Sequence, residues 1–277
     1  MKFAKQKLLF VATGLAMGLG MASQATAAPV FTIDPPGAPG TFNADFINGN
    51  SSELLTGNAT TGTLTATSGW LQLTSFSNAG NTILPGTSRL GVDSQLYLTF
   101  NLVANYSGGA AFGTPGSNYN LSSLNFSVYR NDFGLGDTQT SFTQADASTN
   151  TNATVSDTGT ADVLLGTGSL VPGQGVAGFD TQFGAFLNAL TTYTNTAAGS
   201  AYFVAPVPFY SLAFNAFNNT AQGVTKVGTC APNCTISITN AIGGVDFAKT
   251  VPEPATLALL GMGLVGMGVS LRKRKAA

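Results

Sequence analysis

Leu96-Tyr97-Leu98-Thr99-Phe100-Asn101-Leu102 alternates apolar and polar side chains without a break. In an extended chain successive side chains point to opposite faces, so Leu96, Leu98, Phe100 and Leu102 share one face and Tyr97, Thr99 and Asn101 the other. A strand of this kind belongs to a half-buried antiparallel sheet. Working outward, the same reading places strands at Thr63 to Phe76 (broken at Ser68-Gly69), Leu96 to Ala104, Leu124 to Arg130, Ala161 to Leu165, Ala201 to Val204, Ser211 to Phe217, Val224 to Thr229, Thr235 to Thr239 and Gly244 to Phe247. Gly, Asn, Pro and Ser clusters separate them, as turns do. Only Phe183 to Tyr193 offers helical spacing, through Phe183, Phe186, Leu187 and Leu190, and its Thr-rich end suits a strand equally well. Thr138 to Ser156, with a single Phe142, reads as a long surface loop. No fixed-period repeat is visible. The fold class expected is all-β: one antiparallel β-sandwich, jelly-roll-like, over residues 28–250.

Both flanks differ from this middle. Lys2, Lys5 and Lys7 precede an apolar stretch from Leu8 to Met21, and Ala25-Thr26-Ala27 forms a small-x-small site. That is the pattern of a signal peptide over residues 1–27, cleaved to leave Ala28 as first residue; a retained N-terminal helix is the alternative. At the other end, residues 251–277 run Val251-Pro252-Glu253-Pro254, an uncharged apolar span from Ala255 to Leu271, then Arg272-Lys273-Arg274-Lys275. The span is just long enough, as a single transmembrane helix, to cross a hydrocarbon core of about 30 Å. The positive-inside bias holds the basic cluster on the cytoplasmic side and leaves Pro252 to Pro254 at the outer face of the inner membrane.

The order of Pro252-Glu253-Pro254, short apolar span and terminal basic cluster resembles the PEP-CTERM sorting signal of Gram-negative bacteria, whose substrates are handled by exosortases. A plain C-terminal anchor behind a Pro-rich linker is the alternative. Gly40 to Asn50, Arg89-Leu90-Gly91-Val92-Asp93 with Leu96-Tyr97, and Phe203 to Tyr210 are similar to segments of PEP-CTERM proteins associated with flocculation. The resemblance implies an exported protein of the cell surface or extracellular matrix, with an exosortase as processing partner and the inner membrane as its station before processing. It further implies a role in retaining exopolysaccharide and in biofilm or floc formation.

Composition narrows the chemistry. Histidine is absent, which removes the usual triads and every histidine-based metal site. Between Ala28 and Thr250 stand 4 basic and 11 acidic residues, a net charge of −7, so there is no basic footprint for nucleic acid. Cys230 and Cys234 flank Ala231-Pro232-Asn233; in an oxidising compartment they are expected to pair as a local disulfide rather than act as a redox dithiol. Asp132 and Asp137 are the candidate carboxylate pair for glycan cleavage, although spacing along a chain says nothing of separation across a sugar. A Gly-rich turn explains them as well. The same pair, or Asp45 to Asn50 with Glu53, offers oxygen ligands for calcium without matching an ordered ligand loop. Trp70, Tyr202, Phe203, Phe209, Tyr210, Phe214 and Phe217 are either sugar-stacking or core residues. Asn-x-Ser/Thr triplets recur, as at Asn50, Asn125 and Asn152, in a chain rich in all three residue types.

The expectation is therefore a non-catalytic surface protein, without cofactor, whose partners are an exosortase and extracellular polysaccharide. A secreted carboxylate-dependent glycan hydrolase or lyase is the alternative, and a shell subunit joined through sheet edges is a third. Intact-mass measurement of the protein from its native host should show a chain that starts near Ala28 and lacks Ala255 to Ala277. A mature form that keeps Arg272 to Lys275 would contradict the processing expectation.

Overall fold

A computed structural model describes residues 29–218 and 223–248 of the 277-residue chain. Its strands are, in order, β1 (Phe31–Ile33), β2 (Phe42–Ala44), β3 (Phe46–Asn58), β4 (Thr63–Asn78), β5 (Asn81–Thr82) and β6 (Gln95–Gly109). Then come β7 (Ser117–Asn131), β8 (Ser141–Thr143), β9 (Thr154–Ser156), β10 (Val163–Phe179) and β11 (Ala185–Thr192). The last are β12 (Thr194–Asn195), β13 (Phe203–Ala205), β14 (Leu212–Asn218), β15 (Val224–Val227) and β16 (Asn233–Ala248). Among the described residues helix is confined to short turns such as Pro85–Ser88 and Ala197–Tyr202.

The fold is all-β, and its long strands pair in chain order. β3 pairs β4, β4 pairs β6, β6 pairs β7, β7 pairs β10, β10 pairs β11, β11 pairs β14 and β14 pairs β16, every pair antiparallel. β16 then pairs β3 through a register running from Asn233↔Asn58 to Val245↔Ile47, which returns the sheet to its start. A jelly roll needs Greek-key connections between two sheets, and this connectivity has none. The expected sandwich is instead a closed up-and-down ring. Among the described residues, closure leaves short strands such as β5, β12 and β15 at the margins of the ring.

The alternation in Leu96 to Leu102 now has an inside and an outside. Leu96, Leu98, Phe100, Leu102 and Ala104 are buried with Leu64, Leu71, Leu121, Phe126, Ile236 and Val245 in one continuous core, while Asn101 and Asn105 are exposed. This polarity, apolar within and polar without, is the reverse of a transmembrane barrel. No helix among the described residues is long and apolar enough to cross a membrane; the span Ala255 to Leu271 lies outside them.

Several segments depart from expectation, each for a physical reason. Thr235 to Thr239 and Gly244 to Phe247 are one strand, β16, because Asn240 takes a positive φ of 55° and forms a bulge between Thr239 and Ala241 that the ladder spans. The expected break at Ser68-Gly69 is likewise a bulge within β4. Ala201 to Val204 splits into the end of a helical turn, N-capped by the Thr196 hydroxyl accepting from the Gly199 N–H, and the start of β13. Phe183 to Tyr193 is mainly strand: β11 alternates Ala185, Leu187 and Ala189 into the core.

The largest departure is Thr138 to Ser156. It is no surface loop but a β8–β9 hairpin laid over the outside of the ring, where Ala145, Ala147 and Ala153 bury Leu54 and Trp70 in a second small core. The Trp70 indole N–H donates to the Thr143 carbonyl at 2.8 Å, and the Ser68 hydroxyl donates to the Ala153 carbonyl at 2.9 Å. Ser52 clamps both layers, accepting from the Ala145 N–H at 2.9 Å and donating to the Ile238 carbonyl at 3.0 Å. Alanine and backbone polar groups do this work, so the segment carries little hydrophobic signal. Phe142 also stands edge-on to Tyr97 at 5.4 Å, which explains why Tyr97 is buried although it projects outward.

Replacing Trp70 with Ala should therefore cost about 3 kcal/mol, the usual scale for truncating a buried Trp, and should open the hairpin before the ring. Urea titration combined with limited proteolysis checks this. Cleavage within residues 144–152 under conditions where the ring stays folded is expected; an unchanged cleavage pattern would contradict the packing of the hairpin on Trp70.

Candidate functional site

The outer wall formed by β4, β6, β7 and β10 carries side chains in register. Trp70, Thr99, Ser127, Thr167 and Thr194 form one row across five strands. Asn101, Asn125 and Ser169 form the next, extended by the hydrogen bond between the Ser169 and Thr192 hydroxyls at 3.1 Å. At strand spacing a row crossing four strands is about 15 Å long. Residues 153–155 of the hairpin raise one bank beside these rows, and the result is an open groove of about 810 Å³.

Two glycines set its floor. A Cβ at Gly69 would fall 2.4 Å from the Phe100 ring, and one at Gly168 would fall 2.4 Å from the Phe126 ring and 2.2 Å from the Thr192 carbonyl oxygen. The two rings press from the core against bare backbone, so any side chain at either position would displace the wall. Hydroxyls and amides line the groove with no acid or base among them. Such a surface offers both donors and acceptors, held in place by the sheet, for a neutral hydroxyl-rich ligand. It provides no proton-transfer group.

The acidic residues lie elsewhere. Asp132 is ion-paired with Arg130, at 2.8 Å, and Asp137 Oδ1 accepts from the backbone N–H groups of Thr138 and Thr160, each at 2.7 Å. Between them Asp162 acts as a hub: its carboxylate accepts from the Tyr97 hydroxyl at 2.5 Å, the Thr140 hydroxyl at 2.8 Å and the Asn131 amide at 2.7 Å. Burial and this carboxylate push the Tyr97 hydroxyl well above the ordinary tyrosine range. Asp132, Asp137 and Asp162 border a shallow depression of about 250 Å³. Asp137 and Asp162 hold the hairpin's roots through Thr138, Thr160 and Thr140, Asp132 is taken up by Arg130, and among the described residues no group of three acidic or cysteine side chains is placed to hold a metal ion.

The second calcium candidate dissolves into secondary structure. Asp45 accepts from the Ala79 N–H at 2.7 Å, Phe46 to Asn50 belong to β3, and Glu53 sits on the same strand inside the ring. The Glu53 carboxyl faces a cavity of about 30 Å³ bordered by Leu55, Leu64, Leu102, Tyr119 and Leu187, room for about two waters. Burial alone pushes its pKa up to about 8, so it is the protonated acid at neutral pH.

Cys230 and Cys234 are joined as a disulfide at the turn before β16. Trp70, Tyr202, Phe203 and Tyr210 are core residues rather than sugar platforms. Tyr202, Phe203 and Phe209 pack with Phe31 and Phe247 in an aromatic cluster at one end of the ring. Ala25, Ala27, Pro252, Glu253, Pro254, Arg272, Lys273, Arg274 and Lys275 lie outside the described residues. The groove escaped sequence reading because its residues come from strands far apart in the chain. The one local trace was the polar half of each alternation, as in Thr99 and Asn101.

Comparison with known proteins places residues 250–275 in the PEP-CTERM protein-sorting motif. No curated protein and no solved structure matches the chain.

The buried Glu53 makes stability pH-dependent. Its folded-state pKa lies above the ordinary value of 4.5, so the ring holds the proton that the unfolded chain gives up. The stabilisation is complete below about pH 4.5 and is lost as pH rises through about 8. The melting temperature should fall between pH 5 and pH 9, and Glu53→Gln should flatten that slope without lowering stability at pH 8. An equal slope in the variant would contradict the assignment.

Proposed function

We propose, from the premise that a chain with a PEP-CTERM motif at residues 250–275 is exported and sorted by an exosortase, that its barrel is a non-catalytic, polysaccharide-associated component of the cell surface or extracellular matrix. The groove on the outer wall is the binding surface in this reading. The observation that carries it is the pairing of fixed hydroxyl and amide rows with the lack of any ionisable group along the groove. Neutral sugars present hydroxyls that both donate and accept, which Asn, Ser and Thr match without the desolvation cost of a charge. Each contact is weak. Many copies displayed around one polymer gain avidity without further contacts, which suits biofilm or floc formation.

The competing reading is a carboxylate-dependent glycan hydrolase or lyase working at Asp132, Asp137 and Asp162. Their carboxylates border a depression of about 250 Å³, but each already accepts hydrogen bonds or an ion pair from the protein. A catalytic pair needs one carboxyl free to give a proton and one free to attack or activate water.

Complementing a deletion strain separates the two. Asn101→Ala with Asn125→Ala alters only the outer wall, where surface substitutions usually change stability by less than about 0.5 kcal/mol. It should reduce cell-retained polysaccharide and floc formation several-fold, while Asp132→Asn with Asp137→Asn should leave retention near wild type in cells that display the protein normally. Wild-type retention by the groove variant would contradict the binding surface. Shortening of host polysaccharide by the purified protein, abolished by the Asp substitutions, would establish the hydrolase reading instead.

A further inference from the structure

The strand order fixes which loops share an end of the ring. β16 leaves at Ala248, and the sorting motif begins at residue 250. The register places the start of β3, the end of β4, the start of β6, the end of β7, the start of β10, the end of β11 and the start of β14 at that same end. The segments 29–45, 79–94, 132–162 and 193–211 therefore emanate from the end where the tail departs.

Five of the nine exposed large apolar side chains among the described residues, the three most exposed included, lie there, while Tyr106, Val176, Val227 and Ile242 lie elsewhere on the ring. Val207 is 88% exposed, Leu84 72%, Leu135 71%, Val92 50% and Val30 46%. They stand on braced supports in two groups. Leu84 caps the turn Pro85–Ser88, and the Arg89–Asp93 ion pair closes the next turn around Val92. Leu135 joins the same group, since the Gly134 N–H donates to the Asp93 carbonyl at 2.7 Å. Val207 stands between Pro206 and Pro208 just beyond β13; β13 pairs with β1, next to Val30, whose carbonyl accepts from the Tyr210 hydroxyl at 2.9 Å. Isolated exposed apolar residues are ordinary; a set gathered on one braced end points to a contact surface.

The tether identifies the contact. From Ala248 to Ala255, where the apolar span begins, the chain can extend at most about 25 Å. This end of the ring is thus held against the membrane for as long as the span remains attached. We infer that the tail-side end of the barrel docks on the outer leaflet of the bilayer, inserting Leu84, Val92, Leu135 and Val207 among the lipids and holding Pro252 to Pro254 at the membrane surface for processing. The inference rests on the exosortase-sorted reading of the tail. Acidic side chains outnumber basic ones on these segments, so apolar insertion rather than attraction to anionic headgroups supplies the affinity.

The test uses the full-length chain reconstituted into phosphatidylethanolamine–phosphatidylglycerol vesicles with a nitroxide on the acyl chains. Single cysteines introduced as Leu84→Cys, Leu135→Cys or Val207→Cys carry an environment-sensitive fluorophore, with Val227→Cys at the far end and Ile242→Cys on the side of the ring as controls. The native cysteines are already paired. Lipid nitroxide should quench the three tail-side labels several-fold more than the two controls. Equal access of an aqueous quencher to all five labels overturns the inference. Shielding of the tail-side labels from both quenchers assigns that end to a second copy and overturns it too. Trypsin access to Arg272 to Lys275 from across the bilayer reports insertion independently. An uninserted tail defeats the sorting reading and the docking together, whereas an inserted tail with water-exposed labels defeats the docking alone.

Discussion

The pairing of β16 with β3 is the constraint on which the rest depends. It joins the last described strand to the first long one across about 190 residues of sequence, from Ile238↔Glu53 to Val245↔Ile47. Without it the remaining pairs would form an open meander with two long unsatisfied edges, a template for association with other chains. With it, backbone groups pair around the ring and the apolar half of every alternation faces one enclosed core. Closure also explains why Glu53 is a neutral acid: the ring shuts its carboxyl away from bulk solvent, and the acid meets this by keeping its proton. It further binds the tail's geometry to the fold, because the strand that completes the ring is also the strand from which the sorting motif emerges.

A closed ring with an apolar interior places its chemistry on the outside. Aromatic residues that in an open sheet could be offered to a ligand are consumed by packing: Phe31, Tyr193, Phe203 and Phe209 meet the Phe247 ring edge-on or tilted. The outer wall is left with Thr, Ser and Asn, positioned by cross-strand register rather than by loops. The β8–β9 hairpin turns part of that wall into a groove bank, and Asp162, bonded to Tyr97, Thr140 and Asn131, fastens the hairpin's base. Of the two acidic residues that sequence reading treated as possible catalysts, Asp137 is spent on the hairpin's roots and Asp132 on its ion pair with Arg130.

How much was legible follows from this physics. Leu96 to Leu102 disclosed its strand because inside and outside differ sharply along it. The Cys230–Cys234 pairing was legible from proximity in the chain. β3 was missed as a strand, since Phe46-Ile47-Asn48-Gly49-Asn50-Ser51-Ser52-Glu53 reads as an Asp/Asn-rich turn. Its Gly49 is obligatory: a Cβ there would stand 2.5 Å from the Gln72 carbonyl oxygen, so a residue resembling turn punctuation is a close contact between strands. Greek-key connectivity was expected from class-level habit, and no local pattern distinguishes it from an up-and-down ring. That difference lies in which partner the first and last strands choose. The hairpin 141–156 escaped because alanines and backbone carbonyls make its contacts, and neither leaves a periodic signature.

Native-state hydrogen exchange, resolved by residue, tests ring closure most directly. If β16 and β3 complete the barrel, the amides of their ladder, around Leu55 and Ile236, should exchange only through global unfolding, as slowly as those of the β6–β7 ladder around Leu98 and Val128. Exchange orders of magnitude faster along β3 and β16, with β6 and β7 still protected, would show two free edges and contradict the closed barrel.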